Sequence, residues 1–325
     1  AVSLGAILLA VFGLLRGFTG NNYWLALAAT LGIALAQPLL LNSWAKLPML
    51  WFGIKERASV IGMILMANTL GTVVGSLLTP YLVEGLGLSI PTVQQIYGGF
   101  AAVTSLLFLI FAKEKPATPP APEFEQERTN FFEGTKLAFR NPTFLIFLFI
   151  IFAGMGVFNG VTTWVGAIVT PRGFSAQEAG WLISVMLLAG VVGSQVLPRL
   201  SDKEGKRQKY IFIGYLFSVI GIAGVTFAKS STLLYASAAL LGFFLIGSNP
   251  VALQYGAEVA KPTPEGTTAG IIQLLGQASV VLVYLMEALK SADGSFTNAL
   301  LLAMALMLVS LFIITRLKDP KRSAV

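Results

Sequence analysis

Arg199-Leu200-Ser201-Asp202-Lys203-Glu204-Gly205-Lys206-Arg207 is a charged turn between two apolar runs, at roughly 179–198 and 210–228. Each run approaches the ~20 residues that carry a helix across a hydrocarbon core about 30 Å thick. Working outward, the same alternation continues in both directions. Apolar runs fall at roughly 1–15, 24–45, 59–83, 93–112, 143–169, 179–198, 210–228, 232–257, 267–289 and 297–316. Ten spanning helices are predicted. Gly and Pro are plentiful inside the runs, which spanning helices tolerate because neighbouring helices satisfy the freed backbone groups. Barrel strands would alternate apolar and polar residues over about ten positions, and these runs do not.

Composition agrees. Of 325 residues, 55% are hydrophobic and 11% charged, and the mean hydropathy is +0.78. A soluble domain carries about 25% charge, so this chain cannot clothe a water-facing surface. Cys and His are both absent. That excludes disulfides, thiol catalysis, Cys/His metal sites, His- or Cys-held haem and Ser-His-Asp chemistry. Asp occurs only at Asp202, Asp293 and Asp319, each beside turn-like residues. No aspartyl dyad lies inside a span, and no enzyme activity, cofactor or metal is expected.

The basic residues sort by side. With Lys46, Lys55 and Arg57 taken as cytoplasmic, alternation puts 18 of the 22 Lys and Arg there. The other side holds Arg16, Arg172, Lys229 and Lys290. The positive-inside rule fixes this orientation and puts both chain ends in the cytoplasm. It also accounts for the net charge of +7 without a nucleic-acid partner.

The longest polar interruption, Lys113 to Arg140, contains Pro116, Pro119, Pro120 and Pro122. Such a segment is a stiff, extended linker. Its end, 131–140, reads either as an amphipathic helix on the inner membrane surface or as plain linker. The expected domains are 1–112, a bundle of four helices; 113–140, a cytoplasmic linker; and 141–325, a bundle of six. Six plus six with the first two missing would account for this asymmetry, the short first run and the start at Ala1.

The two halves repeat. Gln37-Pro38 lies within a span that leads to a basic turn and Glu56; Asn249-Pro250 lies within one that leads to Glu258, a Pro-rich turn and Glu265. Twelve residues separate Glu56 from Asn68, and twelve separate Glu265 from Gln277. At about 1.5 Å per residue that is a climb of about 18 Å, close to the midplane. Asn68, with Thr69, and Gln277 are therefore expected at one depth in equivalent helices, facing one cavity. Repeat-built carriers bind their substrate at that depth.

The charged turn 199–207 resembles the D-x-x-G-[RK]-[RK] loop of the major facilitator superfamily, with Pro198 where a small residue is usual. A narrower resemblance, to the feline leukaemia virus subgroup C receptor-related transporters, runs along most of the chain. It is carried by Asn68-Thr69-Leu70-Gly71-Thr72-Val73-Val74-Gly75, by Ala179-Gly180 with Ala189-Gly190-Val191-Val192-Gly193-Ser194, and by Gly242-Phe243-Phe244, Pro250, Glu258, 264–270 and Gln277. The resemblance implies an all-α integral membrane protein, a major facilitator-type bundle with ten of its twelve helices present. It also implies alternating access and small organic cargo such as choline, ethanolamine or haem. Gln277 matches the family's substrate-facing glutamine of the eleventh helix. The partner glutamine of the fifth helix aligns with Thr69, a departure, although Asn68 keeps an amide beside it. An aromatic of the seventh helix aligns near Asn159. A quaternary ammonium favours aromatic faces, so these departures weaken choline as cargo.

The substrate-binding candidates are Gln277, Asn68, Thr69, Gln37, Asn159 and Trp164. For Gln277 and Asn68 the structural alternative is a polar pair joining helices, worth about 0.6 kcal/mol. Asn159 sits among Gly154, Gly156 and Gly160, so the helix there either unwinds to face a cavity or packs tightly. Trp164 either walls that cavity or sits in an interfacial belt. Asp202, Arg207, Glu258 and Glu265 lie at inner helix ends and are the candidate gating residues, with solvated charge as the alternative. Glu287 alone of the acidic residues falls well within an apolar run, near its outer end; it reads as a rim residue or a proton relay. Ser175-Ala176-Gln177-Glu178 is a capping box. The expected partners are a small organic solute and the lipid bilayer of the plasma (inner) membrane, with the protein a monomer. Proton-coupled efflux of hydrophobic compounds and a non-transporting receptor with this fold are the alternatives.

Overall fold

The computed structural model describes residues 2–19, 22–41, 51–52, 54–113, 131–261, 263 and 265–319. Lys46 and most of the 113–140 linker lie outside the described residues, as do the side chains of Glu56 and Glu265. The described chain is α-helical, with no strand among its residues. In order, the helices are α1 (Val2–Gly17), α2 (Tyr23–Leu41), α3 (Ile54–Pro80), α4 (Ile90–Phe111), α5 (Phe131–Phe139), α6 (Pro142–Val169), α7 (Ala176–Glu204), α8 (Arg207–Phe227), α9 (Ser231–Val259), α10 (Glu265–Ala278), α11 (Val281–Ala288) and α12 (Thr297–Ile314). A single π turn, Tyr81–Gly85, follows α3, and a 3₁₀ turn, Thr170–Arg172, follows α6.

Eight segments among the described residues are long and apolar enough to cross a membrane: α2, α4, α6 with its 3₁₀ turn, α7, α8, α9, 267–288 and α12. Helix α1, of 16 residues, is apolar but shorter. Helix α3 runs for 27 residues, with its side chains described only in part.

Two compact units emerge. One comprises Ala1–Gly71 and Leu78–Gln126; the other comprises Thr72–Leu77 and Glu127–Val325. In the first, α1 packs on α2 and α4. The Gln95 amide donates to Gly17 O across 3.0 Å, and the Thr79 and Tyr97 hydroxyls meet at 2.8 Å.

In the second unit α9 is the hub, flanked by α7 and α8, with α12 against α8 and α6. The α7–α9 crossing depends on small residues. A Cβ on Gly193 would strike the backbone carbonyl of Phe243, and one on Gly242 would strike that of Met186. Lipid supplies no hydrophobic drive between helices, so close backbone approach at small residues is how they gain contact.

Local chemistry sets the helix ends. Ser175 Oγ accepts from Glu178 N, and Glu178 Oε2 accepts from Ser175 N at 2.9 Å, the capping box expected from the sequence. The other carboxylate oxygen of Glu178 accepts from Ser231 Oγ at 2.6 Å, tying the start of α7 to that of α9. Arg172 donates to Val225 O and Ala228 O, each at 2.6 Å, satisfying carbonyls at the end of α8. Asn141 caps α6 and donates to Val259 O at 2.8 Å, joining the start of α6 to the end of α9.

Candidate functional site

The apolar run 267–289 remains one segment long enough to cross a membrane, and its helix is interrupted within that segment. Helix α10 stops at Ala278 and α11 starts at Val281. Around the break the hydrogen-bond spacing tightens to three residues: Val280 N donates to Gln277 O, Leu282 N to Ser279 O and Val283 N to Val280 O. Ser279 Oγ folds back to donate to Gly276 O at 2.5 Å. A serine that bonds its own upstream carbonyl offers the backbone an alternative to the helical ladder. Gln277 stands at the lip of this break. Its side chain is exposed and has no hydrogen-bond partner among the described residues.

Helix α6 braces the break on both sides. Asn159 Nδ2 donates to Ser279 Oγ at 3.2 Å. Trp164 Nε1 donates to Val283 O at 2.9 Å, and its ring lies 5.3 Å from that of Phe296. Of the two alternatives at Asn159, the structure takes tight packing. Helix α6 does not unwind at Asn159; it is continuous from Pro142 to Val169. The three glycines serve packing instead. A Cβ at Gly156 would meet Leu282, one at Gly160 would meet Met286, and one at Gly154 would meet Tyr215 Oη. What glycine costs in helix propensity, about 1 kcal/mol in a helix interior, is offset by seating α11 and α8 against α6. Trp164 is half-buried, with its N–H engaged.

The other amides lie in the first unit. Gln37 and Asn68 are exposed on α2 and α3, and Thr69 is half-buried. Glu287 is exposed near the end of α11.

At the α7–α8 turn, Gly205 adopts φ +69°, a left-handed cap that lets the chain reverse. This reversal returns Arg207 to the end of α7. Its guanidinium contacts Asp202 Oδ1, donates to Glu258 Oε1 from Nε at 3.3 Å and from Nη2 at 3.2 Å, and reaches Ser201 Oγ at 3.4 Å. Gln254 Nε2 donates to the same Glu258 oxygen at 3.1 Å. Three of the four candidate gating residues thus form one cluster joining α7, α8 and α9. Arg207 is 10% exposed, Glu258 25% and Asp202 61%, so Glu258 is the less hydrated of its two acid partners. Adjoining bonds run from Gln208 N to Asp319 Oδ1 at 2.7 Å and from Tyr255 Oη to Lys318 O at 3.1 Å, fastening residues 318 and 319 to α8 and α9.

Two groups escaped the sequence reading as site residues. Ser279 carries no signal in the sequence. Asn249 was visible as half of an Asn-Pro pair, and it lines a cavity between α6, α8 and α9. No group of three or more His, Cys, Asp or Glu side chains suited to a metal occurs among the described residues.

Long apolar helices and seams of small residues define the class: a polytopic helical membrane protein. The sequence profile of the Major Facilitator Superfamily matches residues 1–284 and 172–324. The chain belongs to that superfamily. It is 28% identical over 320 residues to an MFS-type transporter of Caenorhabditis elegans, covering 93% of this chain and 54% of that protein. It is 26% identical over 293 residues to the choline/ethanolamine transporter FLVCR1 of Felis catus, covering 84% of this chain and 52% of that protein. The chain spans about half the length of these curated relatives. Among solved structures, a bacterial homologue of the human lysosomal transporter Spinster, inward-facing, superposes with a TM-score of 0.69 at 16% identity, covering 97% of this chain and 81% of that one. That likeness shows the fold.

Proposed function

We propose that this protein carries a small organic solute across a membrane by alternating access, as a facilitative transporter of a choline- or ethanolamine-like metabolite. Superfamily membership and a relative named a choline/ethanolamine transporter support the class of cargo. The observation that carries the site is Gln277: an exposed amide without a partner among the described residues, beside a helix break held from α6. Helices broken at mid-membrane free polar groups for a bound solute.

In this reading ten helices cross the bilayer, four before residues 113–140 and six after, as part of a twelve-helix bundle. The 1–112 and 141–325 segments act as the two bundles. Both described ends are cytoplasmic, the membrane is the plasma (inner) membrane, and the carrier works as a monomer. Gln277, Asn68, Thr69 and Gln37 offer the cargo neutral hydrogen bonds, and Asn159 and Trp164 hold the Gln277 region in shape. The Asp202–Arg207–Glu258 cluster, with Glu265, holds one state closed at the cytoplasmic side. No covalent chemistry or cofactor enters the cycle.

Liposomes containing the complete protein should take up radiolabelled choline or ethanolamine above protein-free liposomes. Equal counts in both preparations would overturn the cargo assignment.

A further inference from the structure

Pro250 lies inside α9. Proline has no N–H to give the carbonyl four residues back, so Ile246 O lacks its helical donor. Ile246 and Asn249 line a cavity of about 90 Å³ between α6, α8 and α9, wholly within the second unit. Met155, Phe158, Tyr215 and Ser248 complete the part of the wall that matters here. Two of its polar groups are already engaged. Tyr215 Oη donates to Ile150 O at 2.6 Å, and Ser248 Oγ to Leu245 O at 3.1 Å. Asn249 is not: Nδ2 has only Met155 Sδ, at 3.9 Å, and Oδ1 has no donor among the described residues. No charged side chain lines the cavity.

The geometry points to a binding site for an uncharged, hydroxyl-bearing aliphatic group. Its O–H would donate to Ile246 O or Asn249 Oδ1, its oxygen would accept from Asn249 Nδ2, and its branched apolar body would lie against Met155 and Phe158. A neutral, mostly apolar wall with one convergent donor–acceptor pair suits an alcohol: an ion would lose its hydration without a counter-charge, and a pure hydrocarbon would leave the pair unsatisfied. This goes beyond the proposed function: the site selects a neutral alcohol and does not depend on the identity of the transported cargo.

The chain has no cysteine, so Met155→Cys in the complete protein gives a single label position and keeps a sulfur at the wall. The probe is 3,3-dimethyl-1-butanol, an uncharged alcohol with the shape of choline; its methyl ether, which cannot donate, is the control. The alcohol should slow alkylation of the introduced thiol by N-ethylmaleimide at least about threefold more than the ether does, a factor that a hydrogen bond of ordinary net strength supplies. Adding Asn249→Leu should erase the difference, and Asn249→Gln should retain part of it. Equal protection by alcohol and ether, no protection by either, or protection that survives Asn249→Leu would overturn the site. Because the alcohol–ether comparison needs no substitution at Asn249, a misfolded Leu variant cannot hide the answer. Selective protection by the alcohol together with no uptake of choline or ethanolamine would remove the cargo reading and leave the site standing.

Discussion

Asn159 Nδ2 lies 3.2 Å from Ser279 Oγ, a bond that fixes the middle of α6 to the break two residues beyond Gln277. Helix α6 thereby governs how the Gln277 amide is presented, although Asn159 and Gln277 are 118 positions apart in sequence. If the bond positions the amide, Asn159→Leu and Ser279→Ala should weaken cargo affinity by similar amounts. The double variant should lose no more than either single one. About 0.6 kcal/mol of coupling, near threefold in affinity, is the scale for such bonds in membranes. A double-mutant cycle on cargo binding reads it; strictly additive losses would show the bond to be idle.

The Arg207 cluster should respond asymmetrically to loss of its acids. Glu258 is the less hydrated partner and bridges α8 to α9. Glu258→Gln should lower stability by about 1.5–3 kcal/mol, the range for a hydrogen bond to a charged group. Asp202→Asn, at an exposed acid, should cost about 0.2–1 kcal/mol. Thermal unfolding of the protein in detergent micelles checks the order; a larger loss at Asp202 would reverse the account of which pair joins the helices.

At the α7–α9 crossing, Gly193→Ala places a methyl group against the carbonyl of Phe243. Backbone cannot yield as a side chain can, so overpacking here should cost at least about 1–3 kcal/mol. At Gly166, inside α6, an added Cβ meets nothing within 4 Å, so the same change should be neutral or stabilise by up to about 1 kcal/mol. Yields of folded protein from size-exclusion chromatography compare the two; equal yields would mean the helices stand further apart.

Glu287 is exposed at the end of α11, and the described spans hold no buried Asp or Glu. A carboxylate kept at the bilayer centre costs about 2.5–3.5 kcal/mol or more and is usually functional. Uptake by Glu287→Gln should therefore match the unmodified protein at every pH. Loss of a pH-driven flux in this variant would install proton coupling instead.

The helices were legible because lipid imposes one demand, about 20 apolar residues per span, and runs such as 143–169 and 297–316 meet it openly. Ser175 and Glu178 announced their cap because the capping box is a spacing rule. The break after Gln277 was not legible. It depends on Ser279 bonding to Gly276 O and to Asn159, and composition does not reveal which partner a serine will take. The glycines around Asn159 were ambiguous for a related reason. A missing Cβ serves close packing and unwinding alike, and only Leu282, Met286 and Tyr215 opposite them decide between the two. Arg207, Asp202 and Glu258 were legible as helix-end charges. Their assembly was not, because it requires the left-handed turn at Gly205 to aim Arg207 back at α7.

The central claim is that the Gln277 amide holds the cargo. The most direct measurement is concentration-dependent uptake of choline or ethanolamine by liposomes containing the unmodified protein or Gln277→Ala at matched density. The account predicts a KM raised at least about threefold by loss of one hydrogen bond, with partial recovery in Gln277→Asn. An unchanged KM in Gln277→Ala, at equal protein incorporation, would contradict it.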